Sequence, residues 1–115
     1  MEQQNAPVNI SHLEMFTEGD KEMERELFSL FSEQADLTLD DMEQYCEESH
    51  ANEWKSAAHK LKGAAANLGA EKLSALCFEA ESGFTAPRDK KRAILSSIRK
   101  SYKEVQSFLD QRIAA

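Results

Sequence analysis

Three residues in this chain have types and spacing that could do chemistry: His59, Lys62 and Gly63. On a helical wheel with Leu61 at zero and ~100° per residue, Trp54, Ala57, Ala58, Ala65 and Leu68 fall within about 60° of it and form an inward stripe. His59 falls about 160° away, so its imidazole points outward. Beside it lie Ser56, Gly63 and Ala66, with Lys55 and Lys62 at the edge. An ordinary outward face carries Glu, Lys, Gln and Arg. This one carries small residues around a single histidine. A mid-helix glycine costs about 1 kcal/mol relative to alanine, and Gly63, one turn after His59, leaves that side of the imidazole without a neighbour. The bland alternative is a surface histidine beside an incidental glycine.

The chemistry that fits is nucleophilic. A neutral imidazole attacks phosphorus well, and the resulting N–P bond is labile enough for onward transfer. Small neighbours admit a second protein, and ammonium groups can offset charge on the transferring oxygens. No P-loop, Gly-rich nucleotide loop or carboxylate cluster accompanies the histidine, so ATP binding and autokinase activity are not expected. The remaining histidines, His12 and His50, read as solvated. Cys46 and His50 have i, i+4 spacing, but no second ligand pair completes a metal site.

The elements that must hold this face are helices. Of 115 residues only 4 are Gly and 2 Pro, against abundant Ala, Leu, Glu and Lys, a composition that reads as all-α. Residues 1–8 read as a flexible lead, and 9–115 as one domain. The pattern predicts a short helix over 9–17, stopped by Gly19 and Asp20, with Asp20 capping a long helix over 21–47 on Met23, Leu27, Leu30, Phe31, Leu37, Met42 and Tyr45. After a break at 49–52, a third helix runs to Leu68 with Gly69 as its C′ residue. A fourth covers 70–82 on Leu73, Leu76, Cys77 and Ala80. The fifth runs from Pro87 to 113 on Ile94, Leu95, Ile98, Tyr102, Val105 and Leu109. Four long amphipathic helices with short connections imply an antiparallel up-down four-helix bundle, with the N-terminal helix as an addition. Lys90, Lys91 and Arg92 read as surface.

A net charge of −7 argues against a general affinity for nucleic acid or anionic lipid. No run of ~18 apolar residues exists to cross a membrane, and the N-terminus lacks a signal pattern. Cys46 and Cys77 are far apart and read as buried free thiols of a reducing compartment. A cytoplasmic monomer is expected, free-standing or excised from a longer chain.

The string AAHKLKGAAANLGAEKLSALCFEAE, residues 57–81, resembles the histidine-containing phosphotransfer (HPt) domain family, whose pattern is A-H-x-L-K-G-x-x-x-x-L-G-A-x-x-L-x-x-x-C-x-x-x-E. GDKEMERELFSLF, residues 19–31, resembles the family's entry into its first long helix. The resemblance implies a phosphoacceptor exposed midway along a bundle helix, which by position is His59. It implies that Lys62 steadies phosphoryl oxygens, that Gly63 leaves clearance, and that Glu81 hydrogen-bonds one ring nitrogen and leaves the other free. It further implies receiver domains of response regulators and hybrid sensor kinases as partners, with the receiver supplying Mg²⁺ and this chain carrying no cofactor. Leu13, Phe16, Met23 and Leu27 are the implied apolar docking contacts, with Lys55, Lys60 and Lys62 at the rim. One departure is Ala64, where members often carry Ser. The phosphoaccepting domain of a chemotaxis-type kinase, and a helical adaptor without phosphotransfer, are the competing readings.

Overall fold

In the computed structural model, which describes residues 6–114, five α-helices follow one another: α1 (Ile10–Thr17), α2 (Lys21–Gln44), α3 (Ala51–Leu68), α4 (Glu71–Ser82) and α5 (Arg88–Ala114). There is no strand among the described residues. The fold is the all-α helical bundle expected, with α2 to α5 as the bundle and α1 across one end. The first two starts have a local cause. The Asn9 side chain accepts from His12 N–H, and the Asp20 carboxylate accepts from Glu22 and Met23 N–H, satisfying donors that the first helical turn leaves open. The break at 49–52 is a 3₁₀ turn over Glu48–His50, so α2 ends at Gln44, three residues before the predicted limit.

Gly69 shows why the third helix stops where it does. Its φ is +92°, and its N–H returns to the carbonyls of Ala65 and Ala66. A Cβ at this position would lie 3.0 Å from Asn9 O and 3.3 Å from His12. The glycine thus reverses the chain and also lets the start of α1 approach, where Asn9 N–H donates to Gly69 O at 2.8 Å.

The core contains the predicted α3 stripe in full: Trp54, Ala57, Ala58, Leu61, Ala65 and Leu68 are all buried. Leu73, Cys77, Ala80, Leu95, Ile98, Tyr102, Val105 and Leu109 join them from α4 and α5. Cys46 and Cys77 are buried free thiols, and burial pushes Cys77 up to about 12. No helix is long and apolar enough to cross a membrane among the described residues.

The α2 face differs from expectation. Leu30 and Leu37 are exposed and Met23 half-exposed, while Phe31, Ala35, Thr38, Leu39 and Met42 face inward. The helix is apolar over a wider arc than its two neighbours cover, so the arc alone does not say which part is core. Val8, placed by the sequence in the lead, is fully buried; residues 1–5 of that lead lie outside the described residues. Lys91, read as surface, is buried, with its ammonium 5.4 Å from the centre of the Trp54 ring. Its ammonium has no hydrogen-bond partner among the described residues, and the indole face is what offsets its burial.

Candidate functional site

The site is built on α3 and α4, the most extensive helix pair in the bundle. Two buried or half-buried bonds lock the pair above and below it. Trp54 Nε1 donates to Ala80 O at 2.8 Å, and Ser74 Oγ donates to Lys62 O at 3.1 Å. With the helices held in this register, Glu81 of α4 stands opposite His59 and Lys62 of α3.

Glu81 bridges the two. Its Oε2 lies 2.9 Å from His59 Nδ1 and its Oε1 lies 2.8 Å from Lys62 Nζ. The hydrogen bond from Lys62, then the one from His59, holds the Glu81 carboxyl below the usual carboxylate range against the opposing effect of desolvation. An ionised carboxylate only accepts, so a ring hydrogen is on Nδ1, and in the neutral ring Nε2 carries the lone pair. The His59 side chain is 67% exposed, against 27% for Lys62 and 17% for Glu81. The imidazole is therefore at the surface, and the carboxylate it meets is more covered. A Cβ added at Gly63 would meet nothing within 4 Å, so the space one turn beyond the imidazole is open.

The other expected residues separate into two sets. Lys62, Gly63 and Glu81 gather around His59. Lys55 is exposed one turn before it, with Nζ 4.5 Å from the centre of the Phe84 ring. Lys60 is exposed on the α2 side, beside a groove that includes Thr38, Asp41, Tyr45 and Ser56. On the apolar side, Phe16 and Met23 are exposed and Leu27 is half-buried. Leu13 does not belong with them: it is 1% exposed and part of the core, because α1 turns that side onto the bundle. The expectation that Leu13 is a docking contact is therefore corrected. His12 is half-buried rather than solvated, edge-on to Phe16 with ring centres 5.3 Å apart.

Several residues of the neighbourhood lie outside the expected site set. Leu30 and Gln34 line a groove of about 400 Å³ with Leu27, Ala64 and Asn67, on the α2 side of α3. Phe78 of α4 is 57% exposed, with Lys62 Nζ 5.3 Å from its ring centre. The amphipathic pattern marks Phe78 only as an apolar residue off the buried stripe. Among the described residues no group of three His, Cys, Asp or Glu is placed to hold a metal ion. A family model described as Hpt domain matches residues 26–114, which takes in α3, α4, all four residues of the His59 cluster and most of α2, but not α1. No curated protein and no solved structure matches the chain.

Proposed function

The chain belongs to the Hpt domain family, which serves histidine phosphotransfer in phosphorelays, and from that premise we propose that His59 is its phosphoacceptor, charged by and discharged to the aspartate of receiver domains. The observation that carries this reading is the Glu81 contact at His59 Nδ1, which leaves Nε2 as the free nucleophile on an exposed ring.

In the transfer, the Nε2 lone pair forms a bond to phosphorus as the bond from phosphorus to the aspartyl oxygen breaks. The receiver's carboxylate departs with that electron pair. The phosphorylated ring gains a positive charge, which Glu81 offsets through the Nδ1–H it already accepts. Lys62 supplies an ammonium to oxygens on the moving group. The reverse reaction uses the same atoms, so one geometry serves both receipt and delivery. The receiver brings the Mg²⁺, and this chain presents the nucleophile with Glu81 and Lys62 beside it.

The partner would seat on the α1–α2 side, with Phe16, Met23 and Leu27 under it, the half-open groove at Leu30 and Gln34 in the centre, and Lys55 and Lys60 at the rim. The buried centre of such a contact governs affinity, while the charged rim governs encounter. The direct test is to incubate the protein with phosphorylated receiver domains and follow the label. Rapid appearance of an acid-labile, base-stable phosphoryl group on this chain, and its loss on adding an unphosphorylated receiver, is the expected result. A chain that stays unlabelled by every receiver of its own genome would refute the proposal.

A further inference from the structure

Six large apolar side chains are exposed among the described residues. Met15, Phe16, Met23, Leu30 and Leu37 lie on α1 and α2, and Phe78 alone lies on α4. Phe78 thus stands apart from the other five. What covers its ring is Lys62, whose Nζ is 5.3 Å from the centroid. Seven residues earlier on α3, Lys55 repeats the arrangement, with Nζ 4.5 Å from the centroid of Phe84, in the loop after α4. Lys55 and Lys62 bracket His59, at about 6 Å before it and 4.5 Å after it along the helix axis, both on the side turned to α4.

We infer that Phe78 and Phe84 are positioning residues for phosphotransfer, each ring holding one of the two lysine ammoniums that flank His59. The inference rests on the phosphotransfer reading of that histidine. A lysine head on a free four-carbon stem spreads its charge over a wide volume. An aromatic face gathers the stem by apolar contact and the head by the ring quadrupole. A ring also differs from a carboxylate in what it leaves behind, because it fixes the ammonium without cancelling its charge. Around His59 the formal sum of Lys55, Lys62 and Glu81 is one net positive charge (two minus one). A carboxylate in place of either ring would have reduced it to zero. An ammonium has three donors, so Lys62 can keep Glu81 and the ring and still offer a hydrogen to a phosphoryl oxygen. The rings therefore hold both ammoniums beside His59 and leave one net positive charge for an incoming phosphoryl dianion.

Two readouts test this in the full chain. The first is nuclear magnetic resonance of the lysine ε-methylene protons. Those of Lys62 and Lys55 should be shifted upfield by the rings. Phe78→Leu should abolish the shift for Lys62, Phe84→Leu for Lys55, and tyrosine at either position should restore it. The second is the rate at which His59 is phosphorylated by a phosphorylated receiver and, in parallel, by phosphoramidate, a small donor that needs no docking surface. Phe78→Leu should slow both by about two- to fivefold, as expected for an exposed cation–π contact. It should have no further effect in a Lys62→Ala background. Upfield shifts absent from the wild-type protein would overturn the inference, as would a Phe78→Leu variant slowed with the receiver alone, which would make the ring a docking contact. If no receiver labels the protein but the phosphoramidate reaction keeps its dependence on Phe78, the relay reading fails and the positioning role stands.

Discussion

Two glutamates in this molecule are each shared between a basic side chain and a second donor, and the two sites do opposite things with the same parts. Glu24 of α2 takes Arg112 through both oxygens, at 2.9 Å each, and its Oε2 is 3.2 Å from the Thr17 hydroxyl. Arg112 also reaches Glu14 at 3.2 Å, and its carbonyl accepts from Lys21 Nζ at 2.9 Å. The carboxylate is buried, and its bonds join α1, α2 and the last turn of α5. Glu81 takes Lys62 through one oxygen and His59 through the other, at the edge of solvent. At Glu24 every partner is a dead end, which makes a joint. At Glu81 the second partner has another nitrogen facing outward, which makes a site. The difference is exposure and an unspent atom, not the kind of interaction.

The sharpest way to break that contrast is at His59. His59→Gln keeps a side chain that can still donate to Glu81 but has no nucleophilic ring nitrogen. It should abolish the acid-labile, base-stable phosphoryl signal altogether while leaving helicity and unfolding midpoint close to wild type. A signal that survives in this variant would move the acceptor elsewhere.

At the other site the loss should be one of stability. Glu24→Gln leaves the Arg112 guanidinium facing a neutral amide in a largely dry setting. Removing one partner of such a pair costs on the order of 3 kcal/mol, read as a lower denaturation midpoint. Transfer from phosphoramidate, which needs no docking surface, should stay near wild type in the folded fraction, since the bonds of Glu24 go to Thr17 and Arg112 and not to the His59 cluster. An unchanged midpoint would show that the clamp is ornamental.

Gly63→Gln separates clearance from stability at the site itself. The backbone there is ordinary helix and the added Cβ meets open space. The substitution should therefore raise stability, by up to about 1 kcal/mol, because glycine is a poor helix former. Transfer from a receiver should fall by roughly tenfold or more, as a long side chain stands one turn from the imidazole. Wild-type transfer in this variant would remove clearance as the reason for the glycine.

The contrast also explains what could be read from the chain alone. His59, Lys62 and Gly63 sit within one and a third turns, so helical geometry places them on one face without tertiary information. Glu81 is on another helix and became legible only because the whole string from 57 to 81 keeps a family register. Glu24 and Arg112 are 88 residues apart. On amphipathic helices each reads as solvated surface, and nothing local says that they meet. Lys91 is the same case: a lysine among lysines whose burial depends on where Trp54 of another helix lies. Leu13 shows the converse. Its helix was found at the expected place, but a short helix has apolar residues on both flanks, and only docking on the bundle decides which flank is covered. Phe78 needed the position of Lys62 before an off-stripe aromatic meant anything.

The smallest effect concerns acid. Both carboxyls are held below the usual value of 4.5, Glu24 chiefly by the hydrogen bonds from Arg112 and Glu81 chiefly by the one from Lys62. A carboxyl whose folded value is depressed contributes stability that is fully present above its unfolded value. That contribution is lost as pH falls through the folded value. The window for both groups is therefore below about pH 4.5, and neither should alter stability between pH 6 and 8. The two differ in size. Glu24 is buried and its pair is shielded, while Glu81 is reached by water, which screens much of its interaction. Replacing Glu24 by Gln should flatten the acid limb of a stability–pH curve clearly. Replacing Glu81 by Gln should change it only slightly, because the amide oxygen still accepts from His59 Nδ1–H and only the charge on Lys62 loses its counterpart. Urea midpoints measured from pH 3 to 7 for the two variants and the wild type check the ordering. An acid limb flattened more by Glu81→Gln than by Glu24→Gln would mean that the half-buried carboxylate, not the fully buried one, is the structural member of the pair.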